Sequence, residues 1–282
     1  MIELRGVTYS VPVDNQPVAD QSEDDSEAPE DAPPDAPGNL DGASGPGTRK
    51  ILDDVSFLVP ERSITCIMGV SGTGKTTLLR LMAGLVKPDS GQILIDGVDI
   101  VPLRERDLNE VRRKMGFVFQ YGALFDSLTI AENVGFGLIQ QRRPRAEIRE
   151  IVEQRLREVG LTGIEDRLPS QLSGGMRKRV AMARALATDP RIVLYDEPTS
   201  GLDPVMARII DNLVVDLRDR AGTTNVVVSH HLPSILRIAD RVLMLHNARV
   251  EAEGTPREVQ QSASPVVRQF LEGRADGPIT VV

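Results

Sequence analysis

One run of eight residues, Gly69-Val70-Ser71-Gly72-Thr73-Gly74-Lys75-Thr76, constrains this 282-residue chain more than any other feature. It follows the apolar stretch Ile64 to Met68 and fits the spacing G-x-x-x-x-G-K-[ST], which cradles phosphate when a strand leads into it and a helix leaves it. Its glycines let the backbone wrap so that successive N–H groups converge on phosphate oxygens. The helix opening near Lys75 turns the positive end of its dipole toward the same anion. Lys75 reaches the outer phosphates as a point charge, and the Thr76 hydroxyl is the expected Mg²⁺ ligand. The sequence therefore predicts a polyphosphate site formed by Gly69, Ser71, Gly72, Thr73, Gly74, Lys75, Thr76 and Thr77.

A strand–loop–helix unit of this kind belongs in an α/β sheet, and the rest of the chain supplies one. Apolar strands at Ile64 to Met68, Phe117 to Phe119, Ile192 to Tyr195, Val226 to Ser229 and Val242 to Leu245 alternate with helical segments, which predicts a largely parallel sheet. Residues Leu128 to Arg167 are helical in composition, with Ile148, Ile151, Val152, Leu156 and Val159 on one helical face. They imply a helical subdomain over residues 121–180, inserted in a single domain spanning 1–282 and ending in a C-terminal tail, 263–282. After Pro204, Met206, Ile209, Ile210, Leu213 and Leu217 form a core-facing stripe, with Asp211, Asp216 and Arg218 off it. Ile2 to Ser10 and Ile51 to Val59 read as an antiparallel hairpin interrupted at its tip by residues 11–48.

That interruption explains the charge balance. It holds ten of the 41 acidic residues, none of the 33 basic ones and seven of the 19 prolines, so the net charge of −8 is concentrated there. With no aromatic residue it cannot offset the entropy of ordering and reads as a disordered acidic loop. Other chemistries are excluded by composition. A lone cysteine, Cys66, forms no internal disulfide, and three histidines leave little for zinc. No stretch is long and apolar enough to span a membrane and none resembles a signal peptide, so the expected place is the cytoplasm. Arg142, Arg143 and Arg145 cluster without interleaved aromatics, as a solvated basic patch rather than a nucleic-acid surface.

A second element supports the phosphate site. The strand Ile192-Val193-Leu194-Tyr195 delivers Asp196 and Glu197 at its C-terminal end, where open α/β sheets bind ligands. Asp196 is suited to orient Mg²⁺, and Glu197, aimed the other way, to polarise an attacking water.

Between these elements lies Leu172-Ser173-Gly174-Gly175-Met176, and at this point the chain resembles the ATP-binding subunits of ABC transporters. The resemblance implies a P-loop ATPase fold with a mainly parallel sheet, an antiparallel β subdomain and an inserted helical subdomain. Ser173, Gly174 and Gly175 would be the signature motif that closes on ATP of a second copy. Gln120, in Phe117-Val118-Phe119-Gln120, would sense the γ-phosphate and join Thr76 and Asp196 at Mg²⁺. Asp203, in Ser200-Gly201-Leu202-Asp203, would couple two sites, and His230 would be the switch histidine beside the catalytic Glu197. His231 stands where an acidic residue is usual and reads as a neutral surface histidine. Val11 stands where an aromatic residue usually stacks on adenine, while Tyr9 packs in the sheet.

The segment Gln120 to Phe125, Met176 and the tail Val267 to Pro278 look like the Mla/Mce-type lipid-transport ATPases. This implies an integral-membrane permease docked near Gln120, a substrate-binding protein with an Mce domain and a small cytoplasmic regulatory subunit. It also implies a phospholipid or other hydrophobic substrate and a peripheral location on the cytoplasmic face of the inner membrane. The other readings are a soluble ABC-type ATPase acting on ribosomes or nucleic acid, and a nucleotide switch that barely hydrolyses. The first usually needs paired cassettes or long coiled coils, absent here.

Overall fold

Residues 1–12 and 47–280 are described by the computed structural model, and their strands sort into two sheets. The first is antiparallel: β1 (Ile2–Pro12) lies between β2 (Thr48–Val59) and β4 (Ser90–Ile95), and β5 (Val98–Asp99) borders β4. The second has six strands in the order β10 (Arg249–Gly254), β9 (Arg241–His246), β3 (Ile64–Met68), β8 (Thr224–Val228), β7 (Ile192–Asp196), β6 (Met115–Val118). From β9 to β6 every pairing is parallel, and β10 closes one edge antiparallel. Every residue of β3, β7 and β8 is buried, as parallel strands covered on both faces must be.

Period-two alternation divides each central strand between two cores. Cys66 and Met68 of β3 and Tyr195 of β7 face the core packed by α3 (Ile130–Gln140), α4 (Arg145–Glu158), α5 (Gly174–Leu186) and α6 (Pro204–Ala221). Ile67 and Leu194 face the other core, shared with β1, β2, β4, α1 (Lys75–Met82) and α2 (Glu105–Arg112). The chain closes with α7 (Leu232–Ile238), α8 (Pro256–Gln260) and α9 (Pro265–Glu272). Beyond α9 the backbone folds back: the Gln269 side-chain amide donates to the Ile279 carbonyl at 3.2 Å and its oxygen accepts from Ile279 N at 2.7 Å. In α4, Val152, Leu156 and, just beyond it, Val159 are fully buried, with Ile148 and Ile151 packed beside them.

Three expectations need correction. The hairpin ladder runs on to the Pro12–Thr48 pair, so both strands reach into the 11–48 interval; residues 13–46 lie outside the described residues. Strands β4, β5 and β10 were not expected; β4 extends the hairpin across the sheet by pairing Ile2 with Ile95 and Leu4 with Ile93. On α6, Asp211 is not off the buried face. It is 1% exposed, and Ile209, expected in the stripe, is 37% exposed. Burying that carboxylate is tolerated because its Oδ2 accepts from two donors on α7. Ser234 donates to it at 2.8 Å and Arg237 at 2.6 Å.

Candidate nucleotide site

The phosphate loop leaves the sheet where β3 ends, between β8 and β9. Gly69 is held at φ +148, and a Cβ there would stand 2.4 Å from the Leu245 carbonyl oxygen of β9, so only glycine lets the loop pass. Ile51 and Leu52 of β2 back the loop at Gly74, the N-cap of α1. Thr73 turns its hydroxyl inward to the Val70 carbonyl at 2.8 Å, while Ser71 and Gly72 are exposed at the mouth. Thr77 is half-buried in the first turn of the helix.

Lys75 folds back across the loop. Its buried Nζ donates to the carbonyls of Gly69 at 2.9 Å and Val70 at 2.8 Å. Burial lowers the affinity of this ammonium for its proton, while the charges of Glu197 and Asp196 oppose that effect. An ammonium held only by carbonyls is readily re-aimed at a phosphate, which offers it full negative charge.

Thr76 Oγ1 donates to Asp196 Oδ1 at 3.0 Å, joining the loop to the end of β7. Burial raises the Asp196 pKa above the ordinary carboxylate range and the nearby Glu197 charge adds to this, against the Thr76 hydrogen bond, Arg80 and Lys75. A buried carboxylate with this bias gains from a cation. Among the described residues no three His, Cys, Asp or Glu converge on one point. A threonine hydroxyl and one carboxylate make a donor set that fits Mg²⁺, which keeps waters and takes its remaining oxygens from phosphates.

Glu197 is the next residue and adopts φ +49, a conformation that costs a non-glycine residue about 1–3 kcal/mol and recurs at functional sites. The turn reverses its side chain toward β8, whose end leads to His230. Glu197 Oε1 lies 2.9 Å from His230 Nδ1, and Glu197 Oε2 is buried with no hydrogen-bond partner. His230 is open on its other side, with 60% of its side chain exposed. Gln120 is half-buried, two residues past the end of β6, whose Val118 pairs with Tyr195 beside Asp196.

The structure thus gathers Lys75, Thr76, Asp196, Glu197 and His230, with Gln120 at the adjoining strand end. Ser173, Gly174, Gly175 and Asp203 form a second group. Ser173 N-caps α5, accepting from Met176 N at 3.3 Å, and Asp203 N-caps α6, accepting from Val205 N at 2.9 Å and Met206 N at 3.0 Å. The two helix starts abut so closely that a Cβ on Gly175 would stand 2.5 Å from Met206 Cε.

Two residues escaped the sequence reading. Lys178 on α5 donates to the carbonyls of Glu197, at 3.4 Å, and Ser200, pinning the loop between the two groups. Only its place next to the signature glycines could have pointed to it. His231, expected on the surface, is half-buried and makes a ring hydrogen bond to Ser234 at 2.8 Å. Tyr9 packs against the core of the antiparallel side, as expected.

A glycine cradle, a buried lysine and a Thr–Asp–Glu–His constellation at the carboxyl ends of parallel strands define a P-loop ATPase. Residues 52–200 match the ABC transporter family, and the chain belongs to it. The intermembrane phospholipid transport system ATP-binding protein MlaF of Haemophilus influenzae is 44% identical over 83% of this chain and 89% of its own length. The same protein of Escherichia coli is 43% identical over 83% and 87%. A probable ribonucleotide transport ATP-binding protein, mkl, of Mycobacterium leprae is 42% identical over 83% and 67%. Among solved structures, the dimeric post-hydrolysis state of the ATP-binding cassette MJ0796 bound to ADP and Pi superposes with a TM-score of 0.75. It is 32% identical and is matched over 91% of this chain and 99% of its own.

Proposed function

We propose that this chain is the ATP-hydrolysing subunit of an envelope transporter for phospholipid or another hydrophobic molecule. Two copies would close on ATP and open when it is split. The observation that carries the catalytic part is the Glu197 carboxylate. One of its oxygens is occupied by His230, and the other is buried, unpartnered and one residue from the Thr76–Asp196 pair.

Each residue's part follows from its chemistry. The loop amides of Gly69 to Thr76 and the opening of α1 bind the phosphates, with Ser71 and Thr77 contributing at the mouth and first turn. Lys75 exchanges its two carbonyls for phosphate oxygens. Thr76 and Asp196 would hold Mg²⁺, with Gln120 at the adjoining strand end, and the bound ion would neutralise charge developing on the phosphate oxygens. Glu197 Oε2 accepts a proton from the attacking water, and His230 orients Glu197 through Oε1 while its exposed side faces the γ-phosphate. Ser173 and the N-terminal turn of α5 present an anion site to the nucleotide of the second copy, and Asp203, fixed as the α6 cap, passes contact between the two sites. Loss of the γ-phosphate removes the charge that both halves hold, so the pair loosens.

The transport part rests on the relatives reported above, which are transport ATP-binding proteins. No helix among the described residues is long and apolar enough to cross a membrane, so a permease would supply that path. An exposed apolar group next to Gln120 supports its docking there: Tyr121 is 85% exposed, and the exposed rings of Phe125 and Phe136 lie 4.8 Å apart. An Mce-domain protein and a small regulatory subunit would complete the assembly, with this chain peripheral on the cytoplasmic face of the inner membrane.

The test is steady-state phosphate release from MgATP by the wild type and Glu197→Gln. Loss of the general base should lower kcat by about 10²-fold or more while nucleotide binding persists. Equal rates would remove Glu197 from the mechanism.

A further inference from the structure

His230 projects from a short segment whose geometry is set on both sides. Ser229 is buried, and its N–H donates to the Ile67 carbonyl of β3 at 3.1 Å. The Ser229 hydroxyl in turn accepts from His231 N at 3.0 Å, closing a turn with His230 at its apex. The upstream side of the switch residue is therefore fixed to the central sheet.

The downstream side is fixed elsewhere. His231 Nδ1 lies 2.8 Å from Ser234 Oγ, and Ser234 Oγ donates to Asp211 Oδ2 at 2.8 Å. A serine hydroxyl has a single proton, and here it points to the carboxylate. Ser234 must therefore accept from the imidazole, and His231 Nδ1 carries a proton. Arg237 donates to the same Asp211 oxygen at 2.6 Å and holds it in place; burial raises the Asp211 pKa, while the Ser234 hydrogen bond and the Arg237 charge oppose that rise. Asp211 is 1% exposed and lies two turns into α6, the helix that Asp203 caps. A rigid helix thus connects Asp203 to a chain of three polar side chains ending at the residue next to His230.

We infer that His231, Ser234 and Asp211 are positioning residues: they tie the switch histidine to α6, so that the placement of this helix sets the alignment of His230 with Glu197. The inference rests on the ATPase roles proposed above for Glu197 and His230. None of the three residues touches the Thr76–Asp196 pair or the phosphate loop by a hydrogen bond among the described residues. Their effect therefore belongs to turnover rather than to nucleotide affinity. Misplacing a reacting group by about 1 Å can cost up to about a hundredfold in rate.

The experiment compares full-length wild type, His231→Ala, His231→Asn, Ser234→Ala and the double variant His231→Ala/Ser234→Ala for kcat, KM for MgATP and melting temperature. Asparagine places an amide donor close to where Nδ1 stands. The expected results are a kcat about tenfold lower or worse in each alanine variant, with KM within about twofold. His231→Asn should recover most of the loss, and the double variant should be no slower than the slower single one, because the residues act as one unit. An unchanged kcat, a loss confined to KM, equal losses in His231→Ala and His231→Asn, or additive losses would each overturn the inference. If His231→Ala does not fold, Ser234→Ala against wild type decides by the same kcat and KM criteria. Glu197→Gln is run beside them: full turnover in that variant refutes the site reading, whereas its loss together with an unchanged His231→Ala refutes only the relay.

Discussion

Gly69 and Gly72 occupy the same loop and both have positive φ, yet alanine should affect them very differently. At Gly72, φ is +80 and a Cβ meets nothing within 4 Å. Gly72→Ala therefore carries only the left-handed backbone term, about 1–2 kcal/mol. At Gly69 the new Cβ would be 2.4 Å from the Leu245 carbonyl oxygen and 3.0 Å from Thr73 Oγ1. Leu245 is backbone in β9, and its strand is paired on both sides, so the oxygen cannot yield. The loop must move by several tenths of an ångström instead, adding about 1–3 kcal/mol of overpacking to about 1–3 kcal/mol of backbone strain. For a chain of this size each kcal/mol is about 2–4 °C of melting temperature. Thermal melts of the two nucleotide-free variants, with ATP binding measured alongside, give the comparison. Gly69→Ala should melt clearly lower than Gly72→Ala and bind ATP at least about tenfold more weakly, because the displaced amides no longer converge. A Gly69→Ala protein no less stable than Gly72→Ala would refute the close approach to β9.

Two further outcomes follow from buried polar groups. Tyr195 is fully buried and its hydroxyl has no partner, so Tyr195→Phe should be neutral to stabilising by about 1 kcal/mol in denaturant unfolding; a loss of that size would show that the hydroxyl is satisfied. Because burial raises the Asp196 pKa, the folded chain holds that proton more tightly than the unfolded one, and its stability falls as pH rises through the folded pKa. Asp196→Asn should therefore raise the melting temperature of the nucleotide-free protein at pH 7–8, with the gain vanishing below about pH 4, while MgATP hydrolysis is lost; a gain that grows on acidification would contradict the sign.

The parts of the site written in consecutive residues were legible in the sequence. Gly69 to Thr76 and Ile192 to Glu197 each carry their geometry locally: charged groups at the end of a strand and, in the first, a turn that glycine permits. The hairpin was legible for the same reason, since Ile2 and Leu4 on one strand and Val55, Phe57 and Val59 on the other are buried at alternate positions. Edge strands were not. β10 has one neighbour and only a single fully buried residue, so its apolar pattern is weak, and β5 is two residues long. Contacts between distant segments were hidden as well. Asp211 looks like any polar helix residue until α7 brings Arg237, 26 positions later, against it, and Lys178 reveals its role only through the Ser200 carbonyl, 22 positions away. Asp203 combines both cases: its place in the motif was readable, but its service as the α6 cap depends on where that helix begins.

The first hairpin has a practical corollary. Its ladder closes at Pro12 and Thr48, and a little further along the same strand Ile51 leans on Gly74. A fluorophore attached near Arg49 would sit on the paired hairpin, two residues from the Ile51 that backs the proposed phosphate loop. Its emission could follow loading and unloading of the cassette in real time, with no label inside the catalytic machinery.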